Sequence, residues 1–253
     1  MSAAATRSLA FIAGSGMDPI AIAMTVGRAT RFDQIAGVGA PGVEGHTGRV
    51  LEGTIGGGAC TLVMGRRHVY EGDPAAVAHL VAWLAERGVT DLVMASAAGA
   101  LHRGLAAGDL MVAHDIVDFQ NRDRLMRVAG SAMRTASAER LRIDRGLSAA
   151  IERAATAARV SWQRGIMVCG VGPAYETQAE VLALQEWGDA ATMSSAPELA
   201  AASRLGLRAA AVAVITNPCT GVASWRPNHA EVLDVGRKMA VGLAEVIRQL
   251  VID

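Results

Sequence analysis

Apolar residues in this chain fall into short unbroken runs that alternate with stretches of helical spacing. Leu9 to Ala13 is a run of strand length ending in Gly14-Ser15-Gly16, and Asp18-Pro19 then reads as the start of a helix through Val26. After a Gly-rich stretch from Ala36 to Gly48, Val50 to Ile55 and Ala59 to Met64 flank Gly56-Gly57-Gly58 and predict a β-hairpin. From Pro74 to Arg87, Val77, Leu80, Val81 and Leu84 keep the helical interval until Gly88 stops it. Leu92 to Ala95, closing in Ser96-Ala97-Ala98-Gly99, and Leu110 to Ile116 are further strands. Asn121 to Arg145 breaks the pattern: it is rich in Arg, poor in periodic apolar residues, and reads as a long excursion.

Order resumes with a helix from Ser148 to Arg159 and a strand from Gly165 to Val168. A Gly-Val-Gly-Pro turn then leads to Thr177, whose side chain caps the next helix; Glu180, three residues on, completes a capping box, and the helix runs to Trp187. Ala190 to Met193 is a short strand, Ser195-Ala196-Pro197-Glu198 a second cap, and Arg208 to Ile215 the last strand. From Asn228 onward, Val232, Val235, Met239, Leu243, Val246 and Leu250 line one face of a long C-terminal helix. Repeated strand-then-helix units predict an α/β fold with a mostly parallel sheet covered on both faces. Neither a repeat nor a linker divides residues 1–253, so one domain is expected.

Composition narrows the partners. Twenty-four Lys plus Arg balance 24 Asp plus Glu, leaving no charge excess for nucleic acid or anionic lipid. No uncharged window approaches the ~20 residues of a spanning helix, and the N-terminal run reads as a strand rather than a signal peptide, so a cytoplasmic protein is expected. The three cysteines, Cys60, Cys169 and Cys219, are scattered without CxxC spacing, and no His, Asp and Glu set has ligand spacing, so neither disulfide nor metal is expected.

The residues that follow each apolar run share a character. Ser15, Ser96, Glu176, Ser194 and Thr216-Asn217 place hydroxyls, amides and a carboxylate beside small residues, where open α/β sheets gather a ligand site. Gly14-Ser15-Gly16 offers N–H groups and a hydroxyl to an anion. Met17-Asp18-Pro19 removes the third glycine of a dinucleotide fingerprint and puts an acid near the expected anion. In Gly65-Arg66-Arg67-His68-Val69-Tyr70-Glu71-Gly72, continued extension would align Arg66, His68 and Tyr70, a guanidinium and an imidazole suited to a phosphate oxyanion. His229 opens the last helix.

Together GSGMDPIA, VEGHTGRVLEG, GRRHVYEG, SAAGAL with AAGDLMV, GPAYET, MSSAPE, ITN and NHAEVL resemble, in family order, the trimeric purine nucleoside phosphorylases, a family that also contains 5'-methylthioadenosine phosphorylase. The resemblance implies a single α/β domain with a mixed, partly barrel-like central sheet flanked by helices, and a homotrimer. It implies reversible phosphorolysis of purine (deoxy)ribonucleosides to free base and α-(deoxy)ribose 1-phosphate, with phosphate as co-substrate and no cofactor. Ser15, Arg66, His68, the Ala97 N–H and Ser194 match the phosphate site; Tyr70, Tyr175, Met193 and His229 match the sugar site; Glu176 and Asn217 match the pair gripping the purine, with His68 counted among the catalytic set. Asn217, where the adenosine-type branch has aspartate, favours inosine and guanosine.

Departures are Ser96 for the usual asparagine, Tyr175 for phenylalanine, and Phe119 to Arg145, which does not align with the family's long loop. A methylthioadenosine-type phosphorylase and a non-catalytic purine-binding protein of the same fold are the alternatives, the second favoured by Asp18.

Overall fold

The computed structural model describes residues 7–73, 75–120, 141–224 and 228–252. Nine strands form one sheet: β1 (Leu9–Ala13), β2 (Met24–Arg31), β3 (Arg49–Ile55), β4 (Gly58–Met64), β5 (Asp91–Ala100), β6 (Leu110–Asp118), β7 (Trp162–Cys169), β8 (Ala190–Thr192) and β9 (Arg208–Pro218). Their order is β2-β3-β4-β1-β5-β8-β7-β6-β9, and a further β5–β9 pairing closes β5, β8, β7, β6 and β9 into a ring. The partly barrel-like sheet is therefore present.

The apolar runs are continuous because both faces of the sheet are covered. Ala10 and Ile12 of β1 with Ala211, Ala213 and Ile215 of β9 join one core, packed under α1 (Ala75–Glu86) and α4 (Ala196–Leu205) through Leu80, Leu84 and Leu199. The alternate residues Phe11 and Ala13, with Val212 and Val214, join a second core under α2 (Arg145–Ala157) and α5 (His229–Ile252) through Ile151, Leu243 and Ile247. α3 (Gln178–Leu184) carries the expected capping box between Thr177 and Glu180.

Four expectations are corrected. The sheet is mixed, as the resemblance implies, and not mostly parallel as the alternation of elements predicts: β1 runs parallel to β4 and β5, and β5 to β9, but β8 runs antiparallel to β5 and β6 to β9. Asp18 starts only a 3-10 turn to Ala23, after which β2 replaces the rest of the expected helix. Most of β2 is exposed, so it lacks the apolar alternation that would announce it; the antiparallel ladder to β3 holds it. The hairpin turn needs only Gly56 and Gly57, whose φ values of 59° and 87° suit a two-residue turn, while Gly58 opens β4. Finally, α2 begins at Arg145, three residues before the expected start, because Asp144 Oδ1 accepts a 2.7 Å bond from Leu147 N and caps it. The rest of the Arg-rich excursion, 121–140, lies outside the described residues, as do Pro74 and Pro227.

Candidate active site

A cavity of about 390 Å³ opens where the strand ends converge, and the residues matched to the phosphate, sugar and purine sites all line it, whereas Ser96, expected there from its place after β5's apolar run, does not. β7 and β8 run opposite to β5 and β9, so closure of the ring, not a common strand direction, brings Glu176, Ser194 and Asn217 together.

Ser15 follows β1 at one end. The loop is tight because Gly16 has φ 77° and any Cβ there would lie 2.5 Å from the Leu233 carbonyl oxygen of α5. Ser15 Oγ lies 3.0 Å from His46 Nε2, and His46 Nδ1 sits 3.0 Å from the Arg66 amide nitrogen and 2.9 Å from its carbonyl oxygen. Burial pushes the His46 imidazole down to about 3, so the ring is neutral and ties the Ser15 hydroxyl to the Arg66 peptide. His68 stacks on His46 at 5.1 Å and on Tyr70 at 5.0 Å, giving a three-ring column. Tyr70 joins it through a 3-10 turn at Val69–Glu71 rather than through continued extension. Glu71 holds the turn: its carboxylate accepts from His68 N at 2.7 Å and Gly42 N at 2.6 Å. Burial opposes ionisation there, but these bonds and the His68 ring hold the carboxyl at about 2.

Arg66 is 1% exposed. Its Nη1 donates to Glu198 Oε1 at 3.2 Å and to Ser96 Oγ at 3.0 Å; Nη2 donates to the carbonyls of Ala95 and, at 3.5 Å, Ile12. Ser96 Oγ in turn meets Ser195 Oγ at 2.6 Å. Ser195 therefore does not cap α4 with its side chain; it sits at φ 78° and faces β5 instead. Ala97, one residue beyond Ser96 in β5, and Ser194, one before Ser195, line the cavity.

At the other end stand Glu176 and Asn217. Burial raises the Glu176 carboxyl above the usual range, with Glu180 adding repulsion. Asn217 Nδ2 donates to Pro218 O at 2.9 Å and its Oδ1 accepts from Thr216 Oγ1 at 2.7 Å. A carbonyl can only accept, so these contacts fix the amide orientation. One Nδ2 proton and one Oδ1 lone pair are left for a ligand. Tyr70, Met193 and His229 also line the cavity. Asp18 does not line the cavity; its carboxyl, raised by burial, bonds to Thr47 and faces Arg237. Sequence reasoning named Thr216 only as a group gathered at the site and passed over roles there for His46, Ser195 and Glu198. His46 stood in the quoted VEGHTGRVLEG, and Glu198 read only as a helix-start acid.

A closed mixed α/β ring with a cavity bearing anion donors at one end and an amide-carboxylate pair at the other defines a small-molecule enzyme scaffold. The chain belongs to the phosphorylase superfamily, whose family profile matches residues 19–252. It is 30% identical over 247 residues to purine nucleoside phosphorylase 1 of Bacillus subtilis (strain 168), covering 96% of this chain and 91% of that protein. Purine nucleoside phosphorylase of Bos taurus is 31% identical over 258 residues, covering 96% and 87%. A crystal structure of schistosoma purine nucleoside phosphorylase in complex with hypoxanthine superposes with a TM-score of 0.84 at 27% identity, covering 97% of this chain and 90% of that one. No helix among the described residues is long and apolar enough to cross a membrane.

Proposed function

We propose that the chain catalyses reversible phosphorolysis of purine nucleosides, of inosine and guanosine type, through the cavity of its one domain, as a cytoplasmic homotrimer with phosphate as co-substrate and no cofactor. The observation that carries this reading is that one cavity is lined both by the hydroxyl, guanidinium and imidazole groups of Ser15, Arg66 and His68 and by the amide and carboxylate of Asn217 and Glu176. Phosphate sits among Ser15, Arg66, His68, the Ala97 N–H and Ser194, and the purine against Glu176 and Asn217. The sugar lies between them, beside Tyr70, Tyr175, Met193 and His229.

Cleaving the glycosidic bond builds positive charge on the anomeric carbon and negative charge on the departing base. The phosphate dianion stabilises the first and then bonds to that carbon, so no nucleophilic side chain is needed. Asn217 meets the second by donating its remaining Nδ2 proton to O6, and its Oδ1 accepts from N7–H once the departing base takes up a solvent proton there, while the Glu176 carboxylate accepts N1–H. Adenine has a bare N1 and would face that carboxylate lone pair to lone pair, hence the 6-oxopurine preference. Relatives support purine nucleosides as the class of substrate without choosing among them: schistosoma purine nucleoside phosphorylase structures are in complex with guanosine and with adenosine. The non-catalytic alternative drew on Asp18, which lies off the cavity.

The test is release of base from inosine, guanosine, xanthosine, adenosine and methylthioadenosine, each with and without phosphate. Phosphate-dependent release from the 6-oxopurine set is expected. Release from adenosine or methylthioadenosine alone would reverse the specificity, and no release from any would replace the phosphorylase with a binding protein.

A further inference from the structure

We propose that Glu198 is a positioning residue for the anion end of the cavity: by holding the Arg66 guanidinium from behind, it presents Arg66 Nε–H to phosphate. The proposal rests on the phosphorylase reading for its substrate. Glu198 itself does not line the cavity; it lies in the first turn of α4, 2% exposed, with Oε1 3.2 Å from Arg66 Nη1.

Each Nη nitrogen of Arg66 is committed to the protein. Nη1 is shared by Glu198 and Ser96, Nη2 by the carbonyls of Ala95 and Ile12. Nε is different: it is buried and has no hydrogen-bond partner among the described residues, although Arg66 is a cavity-lining residue. A buried N–H left unpaired is costly, and in a site that admits a ligand it marks a donor held in reserve. An oxyanion accepting from Nε satisfies it with a charge-assisted bond.

The direction of Nε depends on where the Nη groups are anchored. Of their partners, only Glu198 carries a charge opposite to that of the guanidinium, and Ser96 is itself braced by Ser195 at 2.6 Å. The same segment carries Ser194 into the cavity. Arg66 and Ser194, from distant parts of the chain, are thus set against each other through Glu198, Ser195 and Ser96. Burial alone pulls the guanidinium below its usual value, and Glu198 opposes that pull, keeping the cation in place.

Glu198→Gln keeps the length and an acceptor; Glu198→Ala removes both. The expected result is a phosphate KM about tenfold higher in Glu198→Gln, and higher again in Glu198→Ala, with the inosine KM held within about twofold. The rise in Tm that inorganic phosphate gives the wild type should shrink in the same order. An unchanged or lowered phosphate KM would reduce Glu198 to charge neutralisation, and a parallel rise in both KM values would mean general distortion; either overturns the proposal. If neither variant folds, Ser96→Ala removes the other Nη1 partner: a phosphate KM about threefold higher with the inosine KM held is expected, and no change overturns it. The Tm measurement needs no turnover. A wild type that phosphate stabilises through Glu198, but that releases no base, would sink the phosphorylase reading and keep this one. A wild type that phosphate does not stabilise would remove both.

Discussion

The two ends of the cavity are built in opposite ways. At the anion end, Arg66, His46, Ser195 and Glu198 are at most 9% exposed and bonded to one another or to backbone, so charge is compensated before any ligand arrives. At the base end, Glu176 is raised by burial and pairs with no cation among the described residues, while its neighbour Tyr175 is 38% exposed. One end is a rigid cradle whose donors are already aimed. The other keeps a carboxylate with no cation partner among the described residues, which on the proposed reading would take a purine N1–H as its partner. Preorganised donors suit a nucleophile that must be held in line, and a polarisable partner suits a base whose charge changes during the reaction.

The sharpest way to break this contrast is to remove the unpaired carboxylate. Glu176→Ala should cost about 2 to 4 kcal/mol of transition-state stabilisation, read as kcat/KM on inosine; unchanged kinetics would take Glu176 out of the site. Asn217→Asp should come next. It replaces the donor to O6 with an acceptor, and the guanosine to adenosine ratio of kcat/KM should fall by roughly tenfold or more. A ratio that does not move would separate Asn217 from base choice.

The pH profile sharpens the same comparison. Glu176 must be ionised to accept N1–H, and its carboxyl is raised from 4.5. Activity on inosine should therefore be full at neutral pH and fall as pH drops through that raised value, earlier than for an ordinary carboxylate. In stability terms the sign is reversed: a raised acid favours the folded state below its unfolded value and loses that contribution as pH rises. Glu176→Gln should accordingly leave Tm at neutral pH unchanged or slightly higher, while activity falls.

At the cradle the readout is stability rather than turnover. His46, lowered from 6.5 to about 3, stabilises the fold above the unfolded value and loses that contribution as pH falls toward 3. Between those values Tm should decline less steeply in His46→Asn than in wild type. Equal slopes would mean that His46 is not held neutral in the fold.

How much of this was legible beforehand follows from distance along the chain. Ser15, Arg66, Glu176, Ser194 and Asn217 each follow an apolar run, and a run that ends in small polar residues betrays a strand opening onto a site. The partners that orient them carry no such signal. Glu198 reaches Arg66 across 132 residues, and Ser195 reaches Ser96 across 99. At Ser195 the local pattern even misled, because a serine before Ala-Pro-Glu reads as a helix cap. β2 escaped for the converse reason: an exposed edge strand is defined by its neighbour's ladder, not by its own alternation.

The sequence by itself determined the alternation of elements, the two-faced burial of the central strands and the identity of the groups that meet in the cavity. These depend on period, run length and capping within a few residues. Only the tertiary structure decided which strands run antiparallel, the pairing of β5 with β9, the neutral state of His46 and the clamp of Glu198 on Arg66. Such features arise when remote segments share one desolvated space, where burial and long-range partners, rather than residue type, set charge and orientation.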